Sequence, residues 1–332
     1  MRRFTFILII TTLLTLFIKA STEVAFTADS ATPAAIFTVN SDSDEGDYKS
    51  VDGICQTTIV GECTLRAAIE QANASGVAAT ILFDYDSMQG KTLIPATPYP
   101  TISVPLSVDA RKAGVCGNDP EAPPELVLTI DGSSAGFASG LQFGLGSDGS
   151  QVYGLIIGNF TYYGINISES DNAIIACNYI GVDKSGNSAI GNQQGGIKIY
   201  YADGTQIGLS APKDRNLISG NGLSNSDGAG ILINGTSDGT VIRTNVIGMN
   251  ATGGSALANR NGIIVDIVGQ TATIGGGSDV SNLISGNADS GIRLIGGATL
   301  IKYNYIGTNR WGSSARPNGT GILVASNGNT AI

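Results

Sequence analysis

From residue 140 onward, apolar positions recur in short bursts separated by glycine and polar turns. A Gly-Ile-x-[Ile/Leu/Val] burst begins at Gly164, Gly196, Gly230, Gly262, Gly291 and Gly321, at spacings of 32, 34, 32, 29 and 30 residues. Each is followed by a turn and a second short apolar stretch, such as Thr240-Val241-Ile242 or Thr299-Leu300-Ile301. A third stretch carries an Asn-x-Ile phrase. The alternation inside each burst is that of a half-buried strand. Three short strands per unit of about 30 residues, with glycine turns and no intervening helical pattern, predict one coil of a parallel β-helix. A Rossmann or barrel fold needs helices between its parallel strands, and a propeller blade is longer, at about 40–45 residues.

Two phrases alternate along this region. The longer, N-[Y/V]-I-G then G-x-S-A-x-x-N, starts at Asn178, Asn245 and Asn304; the shorter, N-L-I-S-G-N, starts at Asn216 and Asn282. Stacking coils about 4.8 Å apart puts like residues above one another. Ile165, Ile197, Ile231, Ile263, Ile292 and Ile322 are therefore expected in one internal column. Asn178, Asn216, Asn245, Asn282 and Asn304 are expected in a second, bonding to the turn of the next coil. The G-x-S-A-x-x-N segments occur on every second coil and should project from one edge at intervals of about 10 Å.

The start of the chain differs. Arg2 and Arg3 precede an apolar run from Phe4 to Ile18, with small residues at Ala20, Ala25 and Ala28. This is the pattern of a signal peptide over residues 1–28, the alternative being a retained anchor helix. At about 15 residues the run is shorter than the roughly 20 that span a bilayer. Residues 29–135 read as an N-terminal cap with the first coils, and 136–332 as the repeats. Thr64 to Gly76 is the one convincing helix. Thr64 is placed to cap it, Leu65, Ala68, Ile69 and Ala72 share a face, and Gly76 ends it. The last residues begin another coil at Gly321 without a visible cap, which predicts a chain truncated at its C-terminus.

Composition narrows the partners. Removing residues 1–28 takes away three positive charges and one negative, moving the net charge from −9 to −11. So acidic a chain is poorly suited to nucleic acid or to anionic membrane surfaces, and no membrane insertion is expected after signal cleavage. The sequence has no histidine, which excludes mechanisms that need an imidazole. Of four cysteines, Cys55 and Cys63 could close a short loop in an exported protein, whereas Cys177, in a repeat strand, is expected to be a buried thiol.

The segment Gly61-Glu62-Cys63-Thr64-Leu65-Arg66-Ala67-Ala68-Ile69, preceded by Phe37-Thr38-Val39-Asn40, resembles the N-terminal CSLREA-type region of large secreted bacterial proteins. Ala67 stands at a position that is often acidic there. The repeats are similar to the right-handed parallel β-helix repeats that follow such regions. The resemblance implies an all-β, right-handed parallel β-helix with an N-terminal helix-containing cap, and a secreted or cell-surface location. It brings no reaction and no catalytic set.

Candidate chemistry must come from the residues themselves. Outward middle positions of the Gly-Ile-x-Ile strands are Asn166, Lys198, Leu232, Ile264, Arg293 and Leu323. Lys198 and Arg293, three coils apart, would sit roughly 14 Å from one another, a spacing suited to two contacts along an anionic glycan. Three of the six positions are apolar, which predicts a face partly covered by another segment. Asp171, Asp203 and Asp238 occupy similar turns and could stack into a ladder that binds Ca²⁺ or acts as an acid/base pair; as Asp-Asn and Asp-Gly dipeptides they equally read as ordinary turns. Trp311 and Arg316 in the third long phrase are further ligand-binding candidates. No cofactor is required by this pattern. The expected function is a surface or matrix protein that binds a polysaccharide or a cell-surface polymer, with a polysaccharide lyase or glycoside hydrolase as the alternative.

Overall fold

The computed structural model describes residues 34–116, 128–325 and 330–331. The expected signal segment, 1–28, lies outside them. The chain winds as a right-handed parallel β-helix, every strand pair being parallel, with three faces to each coil. One face is built from the Gly-Ile-x-Ile strands, Tyr163–Ser168, Gly195–Tyr200 and Ala229–Gly235 among them. A second runs from Ala35–Val39 through Ala79–Phe83 and Leu106–Asp109 up to Thr240–Ile242. Single long strands, Asn261–Gly275 and Ser290–Lys302, then bend through both faces and merge them. The third face holds short strands such as Tyr179–Ile180, Leu217–Ile218, Val246–Ile247 and Leu283–Ile284.

The core is the expected column. Ile165, Ile197, Ile231, Ile263, Ile292 and Ile322 stack in register, with Leu141 beneath them. All but the last are fully buried. At the N-terminal end the helix Leu65–Ser75 closes the stack. The Thr64 hydroxyl oxygen accepts from the Ala67 N–H, and Gly76 ends the helix with φ +66°. Leu65, Ala68, Ile69 and Ala72 join Phe37, Val39 and Ile81 in one cluster, so the helix covers apolar surface that the first coil would leave open.

Arg66 explains the acidic loop before this helix. It pairs with Asp44 at 2.9 Å, donates to the carbonyls of Thr97 and Pro98, and lies over the Tyr99 ring. Cys55 and Cys63 are joined by a disulfide within the same cap. Cys177 departs from the expectation of a buried thiol: it is bonded to Cys116, 61 residues earlier. Strand position alone suggested a packing role. A pairing across two coils is set by tertiary contact, which spacing along the chain does not encode.

Candidate functional site

Asparagine ladders position everything on the third face. In the first, the side-chain amides of Asn178, Asn216, Asn245 and Asn282 each donate to Oδ1 of the next member, ending at Asn304. The same Oδ1 atoms also accept from backbone N–H groups of the preceding rung. A second ladder of the same design runs Asn192, Asn221, Asn259, Asn287, Asn318. The two ladders bracket the short strands. The two sequence phrases are thus one structure: both begin on the first ladder and end on the second, five residues later in N-L-I-S-G-N and fourteen later in the long phrase.

The nine extra residues do not project as expected. They fold as hairpin-like loops, bridged at Val182–Ala189, Met249–Ala256 and Thr308–Ala315. One side chain in each holds the turn: Asp183, Asn250 and Asn309 accept through Oδ1 from the N–H groups four and five residues on. The loops lie down because the third face is apolar on its outer side as well. Ile156, Tyr179, Leu217, Val246 and Leu283 form an outward column, buried with Val182, Met249 and Ala251 of the loops in a second hydrophobic cluster. Successive loops touch: Ala251 N–H donates to Gly186 O, Asn250 Nδ2 to Asn187 Oδ1, and Arg316 Nε to Gly254 O. Arg316 therefore fastens one loop to the next, while Trp311 is 64% exposed beside the Arg310 guanidinium.

The carboxylates also form a ladder, one rung longer than the sequence suggested. Asp148, Asp171 and Asp203 each accept through Oδ1 from the backbone N–H of the next aspartate, and Asp238 accepts from Thr271. One oxygen of each is thereby committed to holding a turn. Three rungs span about 10 Å, too far for three carboxylates to share one ion. Hydrogen bonds from the Thr271 hydroxyl and N–H hold Asp238 below the usual carboxylate range. Among the described residues, three potential metal-binding groups converge only at Cys116, Cys177 and Asp214, where the sulfurs are already joined.

The outer side of the Gly-Ile-x-Ile face is divided in two. Asn166, Lys198, Leu232, Ile264, Arg293 and Leu323 stack in register as the sequence predicts, and Gln142 extends the column by one coil. Toward the C-terminal end, Arg293 reaches back two coils to Asp227 at 2.9 Å, and Ile264 between them is only 2% exposed. There the cation expected to meet a ligand is engaged in an ion pair, beside a cavity of about 470 Å³ that Arg293 and Leu323 help to line.

Toward the N-terminal end the face holds Lys198. Its ammonium lies 4.7 Å from the Tyr200 ring centroid and 5.7 Å from that of Tyr163. Tyr163 belongs to the coil before, and its ring crosses Gly195, where a Cβ would strike it. Lys198 makes no ion pair among the described residues, and burial pushes its pKa below the usual lysine value. Two acceptors flank it: Oδ1 of Asn166, its partner one coil back, and Oδ1 of Asn234, the partner of Tyr200 one coil on. Both oxygens are buried and accept no hydrogen bond. Tyr163, Tyr200 and Asn234 were not among the sequence candidates, and Asn166 was placed only as an outward position. Tyr200 shares Lys198's strand face two residues on, Asn166 is its stacked outward neighbour, and the strand register brings Tyr163 and Asn234 alongside from the adjoining coils.

No protein-family model matches the chain, and the curated proteins contain no match. Among solved structures, the crystal structure of pectate lyase Pel9A aligns at 12% identity and a TM-score of 0.37, over 90% of this chain and 80% of that one. No residue is carried over from so distant a likeness. No helix among the described residues is long and apolar enough to cross a membrane.

Proposed function

We propose that this protein is an exported β-helix that binds an acidic polysaccharide on the N-terminal half of its Gly-Ile-x-Ile face, at Lys198. The observation that carries the reading is the setting of Lys198, a half-buried cation between two tyrosine rings that makes no ion pair among the described residues. A uronate residue complements each part. Its carboxylate meets the ammonium and its C–H face packs on a tyrosine ring. Two disulfides and the basic-then-apolar start of the sequence support export. On this reading the repeats serve as a surface or matrix scaffold displaying the site.

The test is titration calorimetry with oligogalacturonate against an uncharged glucan of the same length. Binding of the acidic chain alone, lost in Lys198→Ala and in Tyr200→Ala, supports the reading. Equal binding of both glycans, or full affinity in both variants, overturns it.

The half-buried position of Lys198 between two rings, with a pKa that burial lowers, favours a second reading, a lyase in which this amine takes the proton next to the uronate carboxylate as the glycosidic oxygen at the neighbouring carbon departs. Incubation with polygalacturonate, with and without Ca²⁺, decides between them. Ultraviolet-absorbing unsaturated products that vanish in Lys198→Ala establish the lyase.

A further inference from the structure

A groove of about 540 Å³ opens at the turn that leads from the third face into the Gly-Ile-x-Ile strands. Three successive coils build it: Ser133 and Phe137 come from the first, Asn159 and Thr161 from the second, and Gln193 from the third, with glycines filling out the walls. None of its lining residues is charged. The Thr161 hydroxyl donates to Gly136 O at 2.8 Å and accepts from the Ala138 N–H at 2.8 Å, so it holds the segment that carries Phe137. Asp131, adjoining the lining, accepts through Oδ1 from the Asn159 amide and the Ser133 N–H. Phe137 is 81% exposed, yet its ring is paired with that of Tyr162 at 6.4 Å between centroids. Tyr162 precedes Tyr163, whose ring faces Lys198, and Gln193 lies five residues before Lys198 on the same coil. Five residues span at most about 17 Å. One short oligosaccharide can therefore reach both the groove and Lys198.

We propose that this groove holds an uncharged pyranose unit of the glycan chain whose uronate sits at Lys198, so that the protein selects chains carrying both charged and uncharged units. This rests on the Lys198 reading and adds the chemistry of a second subsite. The volume lies within the about 300–1,000 Å³ of ordinary ligand pockets. A pyranose has two kinds of surface, an apolar C–H face and a rim of hydroxyls. Phe137 offers a flat ring to the first; the Gln193 amide, the Ser133 hydroxyl and Asn159 Oδ1 offer donors and acceptors to the second. Charge decides which unit enters. A uronate here would meet no cation in the lining and would stand near the Asp131 carboxylate, one hydrogen bond beyond Asn159. An uncharged unit avoids that repulsion. Two sources share this chemistry, a uronate whose carboxyl is methyl-esterified and a neutral sugar alternating with uronate.

Calorimetric titration of the full chain with three hexasaccharides tests it. The probes are oligogalacturonate, the same oligomer half methyl-esterified, and an alternating oligomer of glucuronate and N-acetylglucosamine. At least one of the last two should bind about tenfold tighter than the first, and the tighter one identifies the source. Phe137→Ala and Gln193→Ala should erase that advantage and leave the affinity for unesterified oligogalacturonate unchanged. Phe137→Trp, which keeps a flat ring, should preserve it. Both side chains are exposed, so their removal should leave the fold intact, which unchanged melting temperatures verify. Lys198→Ala should weaken all three oligomers. The subsite fails if unesterified oligogalacturonate binds as tightly as both mixed oligomers, or if the advantage survives Phe137→Ala and Gln193→Ala, with the dependence on Lys198 intact in either case. Binding that ignores Lys198→Ala, or no binding of any oligomer, instead removes the Lys198 reading and the subsite with it.

Discussion

The side-chain amide of Asn192 donates to Oδ1 of Asn221 at 3.0 Å, joining the end of a long-looped phrase to the end of a short one. Both residues are buried, and Asn221 continues the chain of donation to Asn259 and to the carbonyls of Ile180 and Ser219. Interior rungs should therefore matter far more than end rungs. Asn221→Ala orphans several buried groups and should cost about 3 kcal/mol. Asn221→Asp keeps the acceptor but turns a negative charge toward three oxygens, and should cost more. Asn304→Ala, at a half-buried rung, should cost less than either. Urea unfolding midpoints order the three.

Asp183 is the one ionisable residue among the three loop-turn holders, the others being Asn250 and Asn309. Burial pushes its pKa up, but the Ser185 hydroxyl and the N–H groups of Ser188, Asn187 and Ser185 outweigh this and hold it below the usual value. A carboxyl depressed in the folded state adds stability above its unfolded pKa of about 3.9, lost as pH falls through the folded value. Asp183→Asn, which copies the sister loops, should unfold with a shallower dependence on pH below about 4. Thermal melts between pH 2 and 5 measure it.

Lys198 sets the pH dependence of glycan binding. Because burial lowers its pKa, the ammonium is lost at a pH below that of an ordinary lysine, about 10.4. Affinity for an acidic oligosaccharide should therefore fall at a lower pH than the titration of an ordinary lysine would give. Lys198→Arg stays charged and should retain whatever affinity it has to higher pH. Calorimetric titrations from pH 6 to 10.5 would show the two curves separating; superimposable curves would remove Lys198 from the site.

The two disulfides should contribute unequally. In the chain-entropy account, a span of 8 residues gives about 2.5 kcal/mol and one of 61 about 4 kcal/mol. Cys116→Ser with Cys177→Ser should therefore lower stability more than Cys55→Ser with Cys63→Ser. Chemical denaturation of the two double variants compares them directly.

How much of this was legible in the sequence follows from what repeats. Ile165 and its equivalents recur at fixed places in each burst, so both the internal column and its register could be read. Asn178 and its equivalents could be read in the same way. The second ladder was harder, because Asn192 and Asn221 end phrases of different length and align only once the coils are stacked. The outer cluster was hidden for another reason. Tyr179 and Ile180 are both buried but face opposite sides of a two-residue strand, and so short a run carries no period that separates core from roof. Tyr163, Asn166 and Asn234 came to Lys198 from neighbouring coils, about 30 residues away along the chain.

The long loops carry one further consequence. A loop that lies flat is about two strands wide: Gly186 is close to Tyr179 of its own coil, to Leu217 of the next, and to Ala251 of the loop after that. One long loop therefore roofs two coils, and two of them on neighbouring coils would collide. The smallest stretch of this chain that can be copied or lost without a clash is a pair of coils, 67 residues from Asn178 to Asn245 or 59 from Asn245 to Asn304. A solenoid built this way counts in twos, and relatives that grew by internal duplication should differ in length by whole pairs.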